Sequence, residues 1–337
     1  MNQHHSFTGP LFIVGMPRSG TKLLRGLLLQ HDKVGIPLVE TGFLPFWVRR
    51  WESYGDLSDF ENFKKFYKSN LKIPYFFYMK YEGTRHHGQL ISCETWYSYC
   101  QNYTVAGVFE ALLRHDAGVD YHSNGIWGDK SPGYITHIPL LFELYPKARV
   151  VHIVRDVRDY SLSIKTAWNK NPLRAAQRWS DWVSKIKFDS KLHQQQYFEI
   201  KYEDLLDEPV KCLEELCDFI GIQFSTEMLK LDSSTENLGD SKGHTKIVGA
   251  NKNKFRERMD SKMQKRIESI SKTAMSLYGY PPDFTVNEKQ LSKAELYWYQ
   301  VADAYHLAIS KSREIKGLGI TGAVKFHLQH YLANKSN

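Results

Sequence analysis

The sequence is poor in cysteine. Its 337 residues include four, Cys93, Cys100, Cys212 and Cys217, and no two of them have the spacing of a zinc site or a redox pair. So few cysteines in so long a chain exclude a small disulfide-stabilised scaffold. The thiols are therefore expected to fill space in a protein that folds in a reducing compartment.

Long apolar runs are also absent. No stretch approaches the ~20 apolar residues of a transmembrane helix, and the first apolar run, residues 11–14, is too short for the core of a signal peptide. We find no repeat, no low-complexity tract, and no helix-turn-helix, zinc or RNA-binding motif. These absences argue against a membrane-spanning or nucleic-acid-binding protein, and we expect a cytoplasmic location.

Positive charge is in excess. The chain has 45 basic and 37 acidic side chains, a formal net charge of +8 and a pI near 9.0. Hydrophobic residues make up 42% and charged residues 24%, which is ordinary for a folded globular protein. A basic balance indicates an anionic partner: nucleic acid, a membrane surface or a phosphorylated small molecule.

Short apolar runs alternate with helical patterns along most of the chain. Strands are predicted at 11–14, 34–36, 126–127, 149–154 and 197–201, and helices at 21–30, 134–144, 157–168, 203–206, 209–220 and 260–278. This alternation predicts an α/β fold with a central parallel sheet flanked by helices on both faces.

Two regions depart from the alternation. Residues 43–122 are rich in aromatics and predict a helical insertion. Beyond Pro282 the pattern becomes amphipathic helix, with one face formed by Ala294, Trp298, Val301, Tyr305 and Ala308. We predict a main domain at 1–285 and a helical extension at 286–337. The extension has three possible roles: to dock on the core, to pair two copies of the chain or to contact a membrane. Its tyrosine-rich face favours a homodimer over a bilayer anchor.

A phosphate-binding loop follows the first strand. Residues 15–22 carry two glycines at P-loop spacing before a predicted helix, whose N-terminus adds partial positive charge. In an ATPase loop, lysine follows the second glycine and a hydroxyl residue for Mg²⁺ comes next. Here the order is inverted, with Thr21 before Lys22. The inversion argues against a Mg²⁺–nucleoside triphosphate and favours a phosphate-like anion held by side chains.

A second basic position ends the strand at 149–154. The metal-binding strand of an ATPase ends in an acidic residue, whereas Arg155 follows here. A positive residue at that point suits a second phosphate and repels Mg²⁺. No metal site is therefore expected.

Three segments together resemble the sulfotransferases that use 3′-phosphoadenosine 5′-phosphosulfate (PAPS). Residues 17–21 resemble their phosphosulfate loop, residues 154–159 with Ser163 resemble their 3′-phosphate motif, and residues 201–205 look like their segment near the adenine. The segments occur in the family's order, each after a predicted strand. The resemblance covers roughly residues 8–282.

The resemblance implies a P-loop-containing, nucleotide-kinase-like sulfotransferase fold and an enzyme that uses PAPS without a metal. The product would be adenosine 3′,5′-bisphosphate, here called PAP. The implied cofactor-binding residues are Pro17, Arg18, Ser19, Gly20, Thr21, Lys22, Arg155, Ser163, Tyr202, Gly249 and Asn251. Lys22 stands where the family usually has threonine. The basic segment 244–256 resembles the glycine-asparagine loop of some bacterial members, whereas the family's tryptophan-bearing loop is poorly matched.

Three residues are candidates for catalysis. Arg18 lies in the phosphate loop, and Lys130 looks like the family's lysine that reaches the transferring group. Glu40 resembles the catalytic glutamate of the tyrosylprotein and carbohydrate branches, with one residue of extra spacing. A carboxylate near the reaction centre is a serviceable base for a hydroxyl group.

The acceptor is not determined by these motifs. A glutamate base and the glycine-asparagine loop favour a glycan or peptide-tyrosine acceptor over a small phenol or steroid, whose branch uses histidine. Of the first two, we expect a glycan hydroxyl. His115, His122 and His137 stand in no convincing motif for that role. Protein-tyrosine or small-molecule sulfation stays open, as does, from another class, an ATP-dependent P-loop kinase. The 43–122 insertion is expected to bind the acceptor. Tryptophans that suit sugar rings, but are more often core, occur at 47, 51, 96, 127, 168, 179 and 182.

Overall fold

The computed structural model describes residues 7–81, 90–189, 195–235 and 243–314. They form a parallel sheet in the strand order β2-β3-β1-β4-β5. The strands are β1 (Leu11–Gly15), β2 (Val34–Gly35), β3 (Ile126–Lys130), β4 (Arg149–Val154) and β5 (Tyr197–Lys201). The predicted fold class, an α/β sheet flanked by helices, is confirmed.

Fourteen α-helices are described around the sheet. They are α1 (Thr21–Leu28), α2 (Leu44–Arg50), α3 (Phe60–Asn70), α4 (Pro74–Tyr81), α5 (Cys93–Tyr99), α6 (Val105–Ala117), α7 (Ile138–Leu144), α8 (Val157–Trp168), α9 (Pro172–Asp189), α10 (Tyr202–Asp207), α11 (Pro209–Ile220), α12 (Phe255–Arg258), α13 (Ser261–Leu277) and α14 (Lys293–Glu314). Short 3₁₀ helices lie at Trp51–Tyr54, Pro132–Thr136 and Thr226–Leu229.

The sheet is covered on both faces. Along β1, Phe12 and Val14 belong to the larger hydrophobic cluster, which includes the side chains of α2 to α6. Leu11 and Ile13 belong to a second cluster with α1 and α11. Because neither face meets water, a continuous apolar run forms this strand instead of alternation.

β3 is longer than predicted. The sequence indicated a strand only at Ile126 and Trp127, but pairing with β1 continues through Lys130. Glycine is required at position 128 for a steric reason, because a Cβ there would lie 2.2 Å from the carbonyl oxygen of Leu11. The polar residues that follow Gly128 obscured the strand, yet they lie at its carboxyl end, where parallel sheets carry their sites.

One predicted helix needed correction, and one helix was missed. The predicted helix at 134–144 is a 3₁₀ turn, Pro132–Thr136, followed by α7, and Pro139 stands in the first turn of α7. Helix α9 was not predicted. Its buried residues recur at helical spacing: Ala175, Ala176, Trp179, Val183 and Ile186.

A buried charge network joins α8 to α13. Arg158 pairs with Asp156 at 2.7 Å and with Glu268 of α13 at 2.9 Å. Glu268 also accepts the backbone N–H groups of Asp283 and Phe284, both at 3.1 Å. Because a buried charge without its partner is strongly destabilising, this network fixes α13 and the segment after it to the domain.

The last described helix, α14, docks by a different face from the one the sequence suggested. Asp303 is buried and pairs with Arg174 at 2.6 Å, whereas Trp298 and Tyr305 are 66% and 64% exposed. The predicted homodimer stays a prediction, as does the division at residue 285. Residues 315–337 of the predicted extension lie outside the described residues. None of the described helices is long and apolar enough to cross a membrane.

Candidate active site

The phosphate loop lies between β1 and α1. Arg18 and Gly20 have φ angles of 72° and 96°, in the left-handed region. Gly20 is required there on two grounds, since L side chains rarely adopt this backbone and a Cβ would lie 2.4 Å from the Tyr202 ring. Ser19 is fully buried, and its hydroxyl has no hydrogen-bond partner among the described residues.

We therefore expect Gly20→Ala to lower the free energy of unfolding by about 1–3 kcal/mol. Urea denaturation measures this change. Gly133→Ala is the matched control, because nothing lies within 4 Å of a Cβ at that position. A Gly20→Ala variant as stable as the Gly133→Ala variant would contradict the steric argument.

Arg155 links the phosphate loop to the basic loop at 244–256. Its guanidinium donates to the carbonyl oxygen of Arg18 at 3.1 Å and to that of Asn251 at 2.9 Å. It also lies over the Tyr202 ring, 4.6 Å from the centroid. The Arg18 Nε donates to the Ser163 hydroxyl at 3.4 Å.

One pocket brings six of the eleven predicted cofactor-binding residues together. Its lining includes Arg18, Gly20, Arg155, Ser163, Tyr202 and Asn251. The predicted residues Pro17, Ser19, Thr21, Lys22 and Gly249 are not part of that lining. Whether any of these residues binds a cofactor stays a prediction.

The basic loop and the short helix after it contribute to the pocket, and one of the contributing residues, Arg258, was not singled out from the sequence. Asn251 donates to the Tyr202 hydroxyl at 2.7 Å and accepts from Lys254. Arg258 lines the pocket one helical turn after Lys254. By contrast, Lys252 pairs with an aspartate at 207 and Arg256 with one at 283, so those two cations have other partners.

Asp159 is the acidic side chain of this pocket. Its carboxylate accepts the backbone N–H of Phe255 at 3.0 Å and lies 3.9 Å from the Arg155 guanidinium. Burial raises the pKa of Asp159, and the Arg155 charge acts in the opposite direction. One oxygen of the carboxylate is therefore held by the backbone, whereas the other, Oδ2, has no hydrogen-bond partner among the described residues.

The second group of predicted residues lies at the end of β3. Lys130 is fully buried and forms an ion pair with Glu40, whose side chain is 47% exposed. Burial lowers the pKa of Lys130 to about 8; the Glu40 charge opposes this, while Arg25 and Lys22 act in the same direction as burial. The structure thus brings together the predicted base and the predicted catalytic lysine.

The histidine alternatives have other partners. His115 lies 2.9 Å from a carboxylate oxygen of Asp116, and the His137 ring lies 2.9 Å from the Thr136 hydroxyl. His122 is exposed. Among the described residues, no group of three or more histidine, cysteine or acidic side chains is placed to hold a metal ion.

Comparisons with known proteins agree with this architecture. Residues 10–226 match a model of the sulfotransferase family. The chain belongs to that family, as its motifs predicted, and the enzyme assignment is confirmed. The kinase alternative is set aside. A comparison with curated proteins found no match.

Solved structures of sulfotransferases are also similar. The sulfotransferase domain of the Synechococcus PCC 7002 olefin synthase aligns with a TM-score of 0.52 and 22% identity, over 79% of this chain and 94% of that chain. A sulfotransferase domain from the curacin biosynthetic pathway aligns with a TM-score of 0.49 and 24% identity, over 77% of this chain and 96% of that chain. Mouse sulfotransferase SULT7A1 complexed with PAP aligns with a TM-score of 0.41 and 16% identity, over 82% of this chain and 92% of that chain. The first of these likenesses supports the fold alone.

Proposed function

We propose that this enzyme transfers a sulfuryl group from PAPS to an acceptor hydroxyl group, with a glycan as the acceptor. The observation that carries the proposal is the arrangement around β1, the central strand. The phosphate loop follows β1, Arg155 follows its neighbour β4, and Lys130 ends its other neighbour β3. Two cationic positions therefore flank one anion-binding loop.

Unsatisfied buried groups support an anionic ligand here. The Ser19 hydroxyl and the Arg155 Nε are both buried without a hydrogen-bond partner among the described residues. Buried polar groups are nearly always bonded, and the oxygen atoms of a phosphosulfate and a 3′-phosphate are acceptors suited to both. When bound, PAPS supplies the sulfuryl group and a phosphate leaving group. The residues proposed to hold it are Pro17, Arg18, Ser19, Gly20, Thr21, Lys22, Arg155, Ser163, Tyr202, Gly249 and Asn251.

Each catalytic side chain has a proposed task. Glu40 takes the proton of the acceptor hydroxyl as the general base. Lys130 and Arg18 place positive charge where negative charge develops, and a buried cation is more effective than one in water. The Glu40–Lys130 ion pair fixes the base next to one of these cations.

The glycan acceptor is supported by the resemblance of the Glu40 segment to the carbohydrate branches. The tryptophans add little, because Trp47, Trp96, Trp127 and Trp179 are core residues with at most 1% exposure. Transfer from radiolabelled PAPS to a sugar, a tyrosine peptide and a phenol would compare the alternatives. Sulfation of the peptide or the phenol, but not of the sugar, would contradict the glycan proposal.

We also propose a cytoplasmic location, supported by the cysteines. All four are free thiols. Burial raises the pKa of Cys100 to about 12 and is the main cause that raises that of Cys212 to about 11, so neither is poised as a reactive thiolate.

Glu40→Gln tests the base. We expect kcat to fall by about 10²–10⁴-fold, with an unchanged affinity for PAP measured by calorimetry. Glu199→Gln is the matched control, because Glu199 forms a similar ion pair with Lys187, at 2.7 Å, at a different position. Full turnover in the Glu40→Gln variant would eliminate the glutamate as base.

A further inference from the structure

A buried polar cluster lies behind the Glu40–Lys130 ion pair. It consists of Thr41, Asp129, Ser131 and Tyr134, which are all at most 6% exposed. The Thr41 hydroxyl donates to a carboxylate oxygen of Asp129 at 2.5 Å and lies 2.6 Å from the Tyr134 hydroxyl and 3.2 Å from that of Ser131. Because a hydroxyl has one proton to donate, the Tyr134 hydroxyl is the donor in its own contact with Thr41.

The residues of the ion pair are adjacent in sequence to two residues of the cluster. Glu40 pairs with Lys130, and the next residue, Thr41, pairs with the preceding one, Asp129. Two adjacent residues of one loop therefore bind two adjacent residues at the end of β3. This juxtaposition ties the position of the Glu40 carboxylate to the interaction beside it.

The loop around Glu40 depends on side chains for its position. Residues 38–43 lie outside helix and strand, so no backbone ladder holds them. The backbone N–H groups of Gly42 and Leu44 donate to the Ser131 and Tyr134 hydroxyls, at 3.2 and 3.1 Å. On the other side of Glu40, Arg25 donates to the carbonyl oxygens at 37 and 38.

A buried carboxylate at Asp129 is costly unless it is bonded. Burial raises its pKa to about 6, while hydrogen bonds from Thr41 and Ser131 and the Lys130 charge oppose that rise. Its other oxygen has no hydrogen-bond partner among the described residues. A side chain used only to fill space would not need the oxygen that accepts from the Thr41 hydroxyl.

We propose that Asp129, acting through Thr41, is a positioning residue that holds the Glu40 carboxylate against Lys130. The inference rests on the proposed function, in which Glu40 is the base. Neither Asp129 nor Thr41 needs to touch the acceptor, since displacement of a reacting group by about 1 Å is enough to cost turnover.

Thr41→Val removes the hydroxyl and keeps the shape of the side chain. We expect kcat to fall by about 10–100-fold, with less than about a twofold change in PAP affinity and in acceptor KM. Thr41→Ser and Asp129→Asn each keep the hydrogen bond and should restore most of the turnover. Thr273→Val is the matched control, because it breaks a threonine–carboxylate bond, to Glu288, on the surface of α13.

Stability is separated from positioning by two further measurements. The melting temperature and the fraction of chains that bind PAP give the amount of folded enzyme in each variant. A Thr41→Val variant whose folded fraction turns over at the wild-type rate would overturn the proposal, since the cluster would then be merely structural. If Thr41→Val does not fold, Thr41→Ala gives the same test, because it also removes the hydroxyl. Wild-type turnover in the folded fraction of Thr41→Ala would overturn the proposal.

A double-mutant cycle separates this proposal from the base assignment. If Thr41 acts through Glu40, then Thr41→Val should lower kcat by less than about threefold when added to Glu40→Gln. A full second loss would overturn the positioning role but leave Glu40 as the base. Wild-type turnover in Glu40→Gln alone would eliminate the base, and the positioning role with it.

Discussion

Replacement of Lys130 by alanine is expected to reduce kcat by about 10³-fold, because a preorganised buried cation at the reaction centre is lost. Affinity for PAP should fall much less, since Lys130 lies outside the lining of the pocket that holds Arg155. Steady-state kinetics with PAPS and calorimetry with PAP measure the two effects. Lys187→Ala, which removes the lysine of the comparable Lys187–Glu199 pair, is the control.

The pH dependence of turnover provides a second test of the role of Lys130. Because the pKa of Lys130 is lowered to about 8, the cation is lost as the pH rises through that value. We expect kcat/KM to decline above pH 8, and the decline to be absent in Lys130→Arg, whose guanidinium stays charged. A pH profile that declines equally in both proteins would assign the titration to another group.

The same shift has a consequence for stability, with a definite sign. The pKa of Lys130 in the folded protein lies below its ordinary value of 10.5. Between about 8 and that value the unfolded chain binds more protons, so the contribution of this group to stability rises with pH. This contribution disappears in Lys130→Ala.

Arg155→Ala is expected to weaken PAP binding by about 10²-fold or more, since hydrogen bonds to a charged group contribute ~1.5–3 kcal/mol each. The variant also loses the bonds that join the carbonyl oxygens of Arg18 and Asn251. Calorimetric titration with PAP measures the affinity, and its salt dependence should become shallower. Arg149→Ala is the matched control, because Arg149 lies at the opposite end of β4. Unchanged PAP affinity in Arg155→Ala would remove this residue from the proposed 3′-phosphate site.

Much of the fold could be predicted from local patterns. β1 and β4 are buried on both faces, and a continuous apolar run is the direct consequence of that burial. β3 was underestimated because its last residues, Asp129 and Lys130, are polar and still pair with β1. Strand pairing supplied by neighbours far along the chain leaves no local signal.

The site was predictable to a similar degree. Phosphate loops have fixed spacing, so Arg18 and Gly20 could be predicted from the sequence, and both line the pocket. The choice among the cations of the basic loop was not, because it depends on which of them meets a carboxylate elsewhere. Lys252 and Arg256 do, whereas Lys254, and Arg258 just after the loop, line the pocket. Asp129 was missed for the same reason: its importance derives from Thr41, 88 positions away.

The buried network of Arg158 has a consequence for synthesis on the ribosome. Its partner Glu268 is 110 positions further along the chain. At the usual rate of about 5–20 residues per second, Glu268 is synthesised roughly 5–20 seconds after Arg158. The match to the family ends at residue 226, so a nascent chain that already contains every matched residue, Asp156 included, still lacks the Glu268 carboxylate of this network. Folding of the domain is therefore completed only after α13 has left the ribosome.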